Sequence, residues 1–130
     1  MTVKEILVDI CRSYTLNTRA VEGATCVMLD SQGRRCAFSR YLNDFGRRIL
    51  SNEGAFACVK LVKNPSYFKP GFLDVFLETT VHGYTGQFWQ TIQSLHDQTE
   101  NWNDYGVTQH GLQYIKEHFG IELDYQEIYM

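Results

Sequence analysis

Cys26-Val27-Met28-Leu29-Asp30-Ser31-Gln32-Gly33-Arg34-Arg35-Cys36-Ala37-Phe38 is the stretch that decides the fold class. Its first four residues are strand-like. Asp30-Ser31-Gln32-Gly33 is a turn signal, with a glycine free to take positive φ. Arg35-Cys36-Ala37-Phe38 then returns, which predicts a β-hairpin over residues 24–39. Counting through a three-residue loop, Ser31-Gln32-Gly33, sets Met28 against Cys36 and Cys26 against Phe38. Cys26 and Cys36 then lie diagonally on one face. That is close, but not directly opposed as a disulfide prefers, so they are read as two apolar thiols lining a core.

The residues on either side of the hairpin are mostly helical. Residues 2–16 repeat apolar side chains at i, i+3, i+4 and i+7 through Val3, Ile6, Leu7, Ile10, Cys11 and Tyr14. Thr2 and Glu5 form a capping box at the start. Tyr41, Leu42, Phe45 and Ile49 give helical spacing over 41–50, weakened by Gly46. Phe56–Val62 alternates and slightly favours a strand. Phe72–Thr80 is apolar and suits a short helix. Thr85–Asp97 and Thr108–His118 read as stronger helices, the second with Thr108 as N-cap and Gly120 at C′. The tail 121–130 is acidic and aromatic, either an edge strand or loose. The fold class expected is α+β, a small antiparallel sheet packed against three to four helices.

The chain has 130 residues, suited to a single domain over 1–130. Apolar residues make up 44% and charged residues 21%, which excludes disordered, collagen-like and low-complexity classes. No run approaches a membrane span. Asp9 and Arg12 break the apolar stretch near the N-terminus, so no signal peptide is expected and a cytoplasmic location is. The four cysteines, Cys11, Cys26, Cys36 and Cys58, form no C-x-x-C. Free thiols are expected, without a redox motif, a metal or a cofactor.

Charge is divided along the chain. Residues 1–69 carry 11 Lys/Arg against 6 Asp/Glu, while residues 70–130 carry one, Lys116, against 9. The acidic half also holds exposed-type tyrosines. Acidic and aromatic side chains together suit a protein-binding surface. Glu100, Asp104, Tyr105 and Glu117 are assigned to it, together with Glu122, Asp124, Tyr125 and Glu127. The alternative is a phosphate or nucleotide site at Arg34, Arg35, Arg40, Arg47 and Arg48. There guanidinium forks would grip phosphate and Tyr41 would stack a base. Direct nucleic-acid binding is not expected, because aromatics and cations do not interleave in a stripe.

Catalytic signatures are sparse. No P-loop, Gly-x-Gly-x-x-Gly, Gly-x-Ser-x-Gly or His-Glu-x-x-His occurs. His96, followed by Asp97 and Glu100, is the one local acid–base candidate and supports a second alternative, a small enzyme. A histidine capping helix-end carbonyls is the plainer role.

Two segments carry a resemblance. One is Cys26-x-Met28 … Gly33-Arg34-Arg35-Cys36-Ala37 with Leu42, Asp44 and Glu53-Gly54. The other is Leu95-His96-Asp97 with Trp102 five residues on. Together they resemble a group of small uncharacterised phage and prophage proteins with a Cys-x-Tyr…Gly-x-x-Cys-Ala-Val-Gly hairpin and a later Leu-Gln-x-Ile-His-Asp…Trp segment. Phe38-Ser39 replaces the group's Val-Gly, and Met28 its Tyr. The resemblance implies the context of a phage accessory protein more than a mechanism; such proteins often act by binding, some blocking a host protein and some sequestering a nucleotide signal. The function expected here is non-catalytic binding that modulates a host protein, one of host defence among the options. Homo-oligomerisation stays open.

Overall fold

A computed structural model describes residues 1–22, 25–26, 30–50 and 73–130. The protein is α+β, with short antiparallel strand pairs among helices. The described chain forms two compact units, one from Met1–Arg19 with Ser94–Met130, the other from Ala20–Gln93. The helix expected at Phe72–Thr80 is instead a pair of 3-10 turns. The strand expected over 56–62 lies outside the described residues.

The first unit begins with α1, Val3–Ser13. Its start is the capping box read from the sequence, in which Thr2 Oγ1 accepts from Glu5 N and Thr2 N donates to Glu5 Oε1. Ile6, Leu7, Ile10 and Cys11 are fully buried along one stripe. Each large aliphatic side chain so placed contributes about 1.5–3 kcal/mol. Burial pushes the Cys11 thiol up to about 12.

In the second unit β1 (Val21–Glu22) pairs antiparallel with β2 (Thr25–Cys26), in register Val21↔Cys26. The antiparallel pairing therefore starts before the expected 24–39 span. The turn at 30–34 does form. Gly33 takes φ +80°, and Asp30 N and O bond Arg34 O and Gly33 N at 3.0 Å. Positions 27–29, and with them the Cys26/Cys36 pairing, lie outside the described residues. Cys36, Ala37 and Phe38 are buried, but Ala37 and Phe38 form a turn rather than a strand and lead into a 3-10 helix, Ser39–Tyr41.

Asn43 N-caps α2 (Asp44–Leu50), accepting from Gly46 N at 2.7 Å. Its amide also donates to Val75 and Leu77 carbonyls, at 3.0 and 3.1 Å. Gly46, a weak helix former, is required here. A Cβ would collide with the Phe76 carbonyl, so α2 lies against the 3-10 turn Leu73–Phe76 at closest approach. A second 3-10 turn follows at Thr79–Val81. Helix α3, Gly86–Asp97, carries Trp89. The indole is fully buried, with the rings of Phe38, Tyr41 and Phe88 at 5.6, 5.6 and 5.1 Å.

Back in the first unit, the C-terminal residues of α3 lead into a 3-10 turn, Thr99–Asn101, and a tight antiparallel pair, β3 (Trp102–Asn103) with β4 (Gly106–Val107). Helix α4, Gln109–Phe119, has Thr108 as N-cap and stops at Gly120 in the left-handed conformation, φ +68°. The tail is a helix, α5 (Tyr125–Tyr129), and not the edge strand or loose end expected. Three features explain that outcome. Asp124 N-caps the helix, Ile128 is fully buried, and the Arg12 guanidinium donates to the Ile128 carbonyl.

Candidate functional site

The end of α3 explains what the histidine does. A helix leaves its last four carbonyls without intrahelical donors. Here each has one. Ser94 O accepts from Gln98 N at 3.2 Å. Leu95 O accepts from Asn101 Nδ2 and Trp102 Nε1, both at 3.0 Å. His96 O and Asp97 O share Arg19 Nη1, at 3.1 and 2.9 Å. The His96 ring is completely buried, edge-on to Tyr14 at 4.8 Å, with Nδ1 2.8 Å from Asp97 Oδ1. An imidazole with no accessible surface cannot touch a substrate. His96 and Asp97 build a corner of the scaffold, as do Asn101 and Trp102.

The acidic residues lie outward from that scaffold. Glu100, Asp104, Tyr105, Glu117, Glu122, Asp124, Tyr125 and Glu127 are all exposed. Two places gather most of them. At the β3–β4 turn, Asn103 Oδ1 accepts from the N–H groups of Tyr105 and Gly106, at 2.8 and 3.1 Å. This projects the Tyr105 ring, 90% exposed, beside Asp104, which accepts from Asn17 Nδ2 at 3.0 Å.

The second place is a groove of about 420 Å³ between α4 and the segment that returns along it. Gln109, Leu112, Gln113 and Lys116 form one wall, and Glu122, Leu123, Asp124 and Glu127 the other. The return begins where Gly120 reverses the chain. Lys116 Nζ lies 2.8 Å from Glu122 Oε1. That hydrogen bond and charge hold the Glu122 carboxyl below its ordinary range and lift Lys116 above its own. Asp124 Oδ1 accepts from Glu127 N at 2.8 Å, and Glu127 Oε2 sits 2.6 Å from Lys4 Nζ. Glu117 lies outside the groove and accepts from Gln113 Nε2 at 3.0 Å. Tyr125 stacks on Tyr129, centroids 6.3 Å apart.

Leu112, Leu123 and Lys116, which line the groove, are not among the eight residues assigned from the sequence. Gln109, Leu112, Gln113 and Lys116 do recur at helical spacing on one face, so that wall was legible in principle. The opposite wall depends on the reversal at Gly120 and the tail helix.

The arginines are engaged locally. Arg34 Nε lies 2.6 Å from Asp30 Oδ2. Burial works against the Asp30 charge, but the N–H groups of Arg34 and Gln32 and the guanidinium outweigh it, leaving the carboxyl below its usual range. Arg35 donates to Ser39 Oγ at 3.0 Å, and burial, with Arg47 nearby, lowers its guanidinium pKa. Arg47 Nε donates to Leu42 O at 3.3 Å, Arg40 lies 5.5 Å over the Tyr41 ring, and Arg48 is exposed. Tyr41 is only 5% exposed and packs on Trp89, so it offers no face to a base.

Among the described residues no group of three or more His, Cys, Asp or Glu side chains is placed to hold a metal ion, and no helix is long and apolar enough to cross a membrane. No family model, curated protein or solved structure matches the chain.

Proposed function

We propose that the protein is a non-catalytic binding protein whose acidic, aromatic C-terminal residues dock on a cationic surface of another protein. The observation that carries this reading is the sorting of charge. Residues 94–130 hold one Lys against seven Asp/Glu. All eight side chains assigned to the surface are exposed on a rigidly capped scaffold. Such a predominantly acidic surface steers association with an oppositely charged partner and disfavours wrong ones. Exposed tyrosines add contact area at low entropic cost. The resemblance to phage accessory proteins makes a host protein the partner in this reading, and the cytoplasm the place.

The test is capture from a host lysate with the immobilised protein, beside a variant carrying Glu100→Lys, Asp104→Lys and Glu117→Lys. None of these three side chains caps a helix, so circular dichroism of the variant is expected to match the parent. The reading expects partner capture to fall at least about tenfold and to weaken steeply with salt. Undiminished capture by the reversed variant would overturn it.

A further inference from the structure

Resting on that protein-binding reading, we infer that the groove between α4 and residues 122–127 is the seat for a lysine or arginine side chain from a basic segment of the partner. Three independent features of the groove point to that chemistry.

The first is its lining. Leu112 and Leu123, each 8% exposed, line the groove together with Glu122, Asp124 and Glu127. Long cationic side chains bury an apolar stem and keep the charged head at a polar rim. The groove offers both kinds of surface, leucine and carboxylate. A volume of about 420 Å³ accommodates such a side chain with neighbouring backbone.

The second is that the chain's own ammonium groups already use this rim. Lys116 sits on Glu122 at 2.8 Å and Lys4 on Glu127 at 2.6 Å. The lysine side chains are 54% exposed in both pairs, and Glu122 is 76% exposed. Open ion pairs of this kind are held weakly. A partner's cation can therefore take either carboxylate at little cost, while Lys116 and Lys4 swing into solvent.

The third is charge complementarity. The surrounding residues 94–130 carry a balance of −6, so a cationic segment gains from the whole field as well as from the groove. An acidic segment would be repelled by the same field.

The probe is acetyl-hexalysine amide, with acetyl-hexaglutamate amide as its control, titrated into the ¹⁵N-labelled full chain at low salt. The expected result is saturable shifts of amides in 109–127, lost at high salt, and none with hexaglutamate. Glu122→Gln combined with Glu127→Gln is expected to weaken hexalysine about tenfold, and Glu78→Gln, exposed but outside the acidic C-terminal residues, by less than about twofold. Lys116→Ala carries the most distinctive sign. It removes the internal competitor and is expected to tighten binding about threefold. Shifts centred on 103–105, or no tightening with Lys116→Ala, would overturn the groove assignment while leaving the acidic-face reading standing. Absence of hexalysine binding would also overturn it, and the triple charge-reversal capture then decides the broader reading separately.

Discussion

Asn101 is the side chain on which the C-terminal scaffold turns, and replacing it gives a test with a sign as well as a size. It is fully buried, donates from Nδ2 to Leu95 O at 3.0 Å, and lies with Oδ1 2.8 Å from His110 Nδ1. Its backbone carbonyl accepts from Thr108 N at 2.8 Å, which places the start of α4. Asn101→Ala removes two hydrogen bonds and leaves a small cavity, while Trp102 still satisfies Leu95 O. The expected loss is about 2–3 kcal/mol. Asn101→Asp keeps the shape but turns the buried donor into an acceptor facing Leu95 O, at the negative end of α3. At pH 7 the expected loss is about 3–5 kcal/mol. The new carboxyl is favoured in its neutral form, so its folded pKa lies above the unfolded value near about 3.9. The Asp variant is therefore closest to the parent below about pH 4 and falls behind as pH rises through the folded pKa. Urea unfolding of parent and both variants from pH 4 to 7, followed by the Trp102 indole resonance, measures the differences. The reasoning fails if Asn101→Asp costs no more than Asn101→Ala at pH 7, or if its deficit is flat with pH.

Gly106 takes φ +142°, and a Cβ there would collide with the Tyr129 hydroxyl, which accepts from Val107 N and donates to Cys11 O. Gly106→Ala should cost about 2–4 kcal/mol in urea unfolding, and adding Tyr129→Ala should cost less than the sum of the two single changes. The depressed Asp30 carboxyl contributes stability above its unfolded pKa that is lost as pH falls through the folded value. Amide protection in 30–34 should therefore fade below about pH 4 in the parent and stay flat in Asp30→Asn. Cys11 and Cys36 are fully buried. In a Cys26→Ser/Cys58→Ser background neither should react with a disulfide reagent at pH 8 until urea unfolds the chain; prompt native labelling would contradict the packing of α1.

The elements that were legible in the sequence are those whose ends carry their own chemistry. Thr2 with Glu5, and Thr108 with Gly120, mark α1 and α4 because both caps act within four residues. Local hydrogen bonds suffice to define them. The tail was not legible for the opposite reason. Asp124 is a valid N-cap, but a five-residue helix is unstable alone. Only Arg12 and the burial of Ile128, both more than a hundred residues away in sequence or dependent on tertiary packing, make it form. Gly46 misled in a similar way. Its cost to helix propensity is local, while its benefit, close approach to the Phe76 backbone, is not. The acidic candidates were legible individually, because carboxylates stay in water. Their division between the β3–β4 turn and the groove follows from the reversal at Gly120, which composition does not encode.

The placement of polar groups in the unit built from 1–19 and 94–130 supports the proposed binding role. Catalysis needs a polar group that is both held in place and reachable. Here Arg19, His96 and Asn101 are buried; Arg19 and Asn101 donate to the helix-end carbonyls of α3, and His96 Nδ1 lies on Asp97. The reachable groups, Glu122 and Glu127, have single ammonium partners in open solvent, and Tyr105 projects from a turn. Loose carboxylates on a stiff frame suit a surface that exchanges its own cations for a partner's. The cost of that exchange is small because each internal pair is weak, and the frame does not have to reorganise. If, instead, Lys116 and Lys4 proved immobile on ¹⁵N-ammonium relaxation, with both pairs persisting at high salt, the exchange would be costly and the groove would be part of the scaffold.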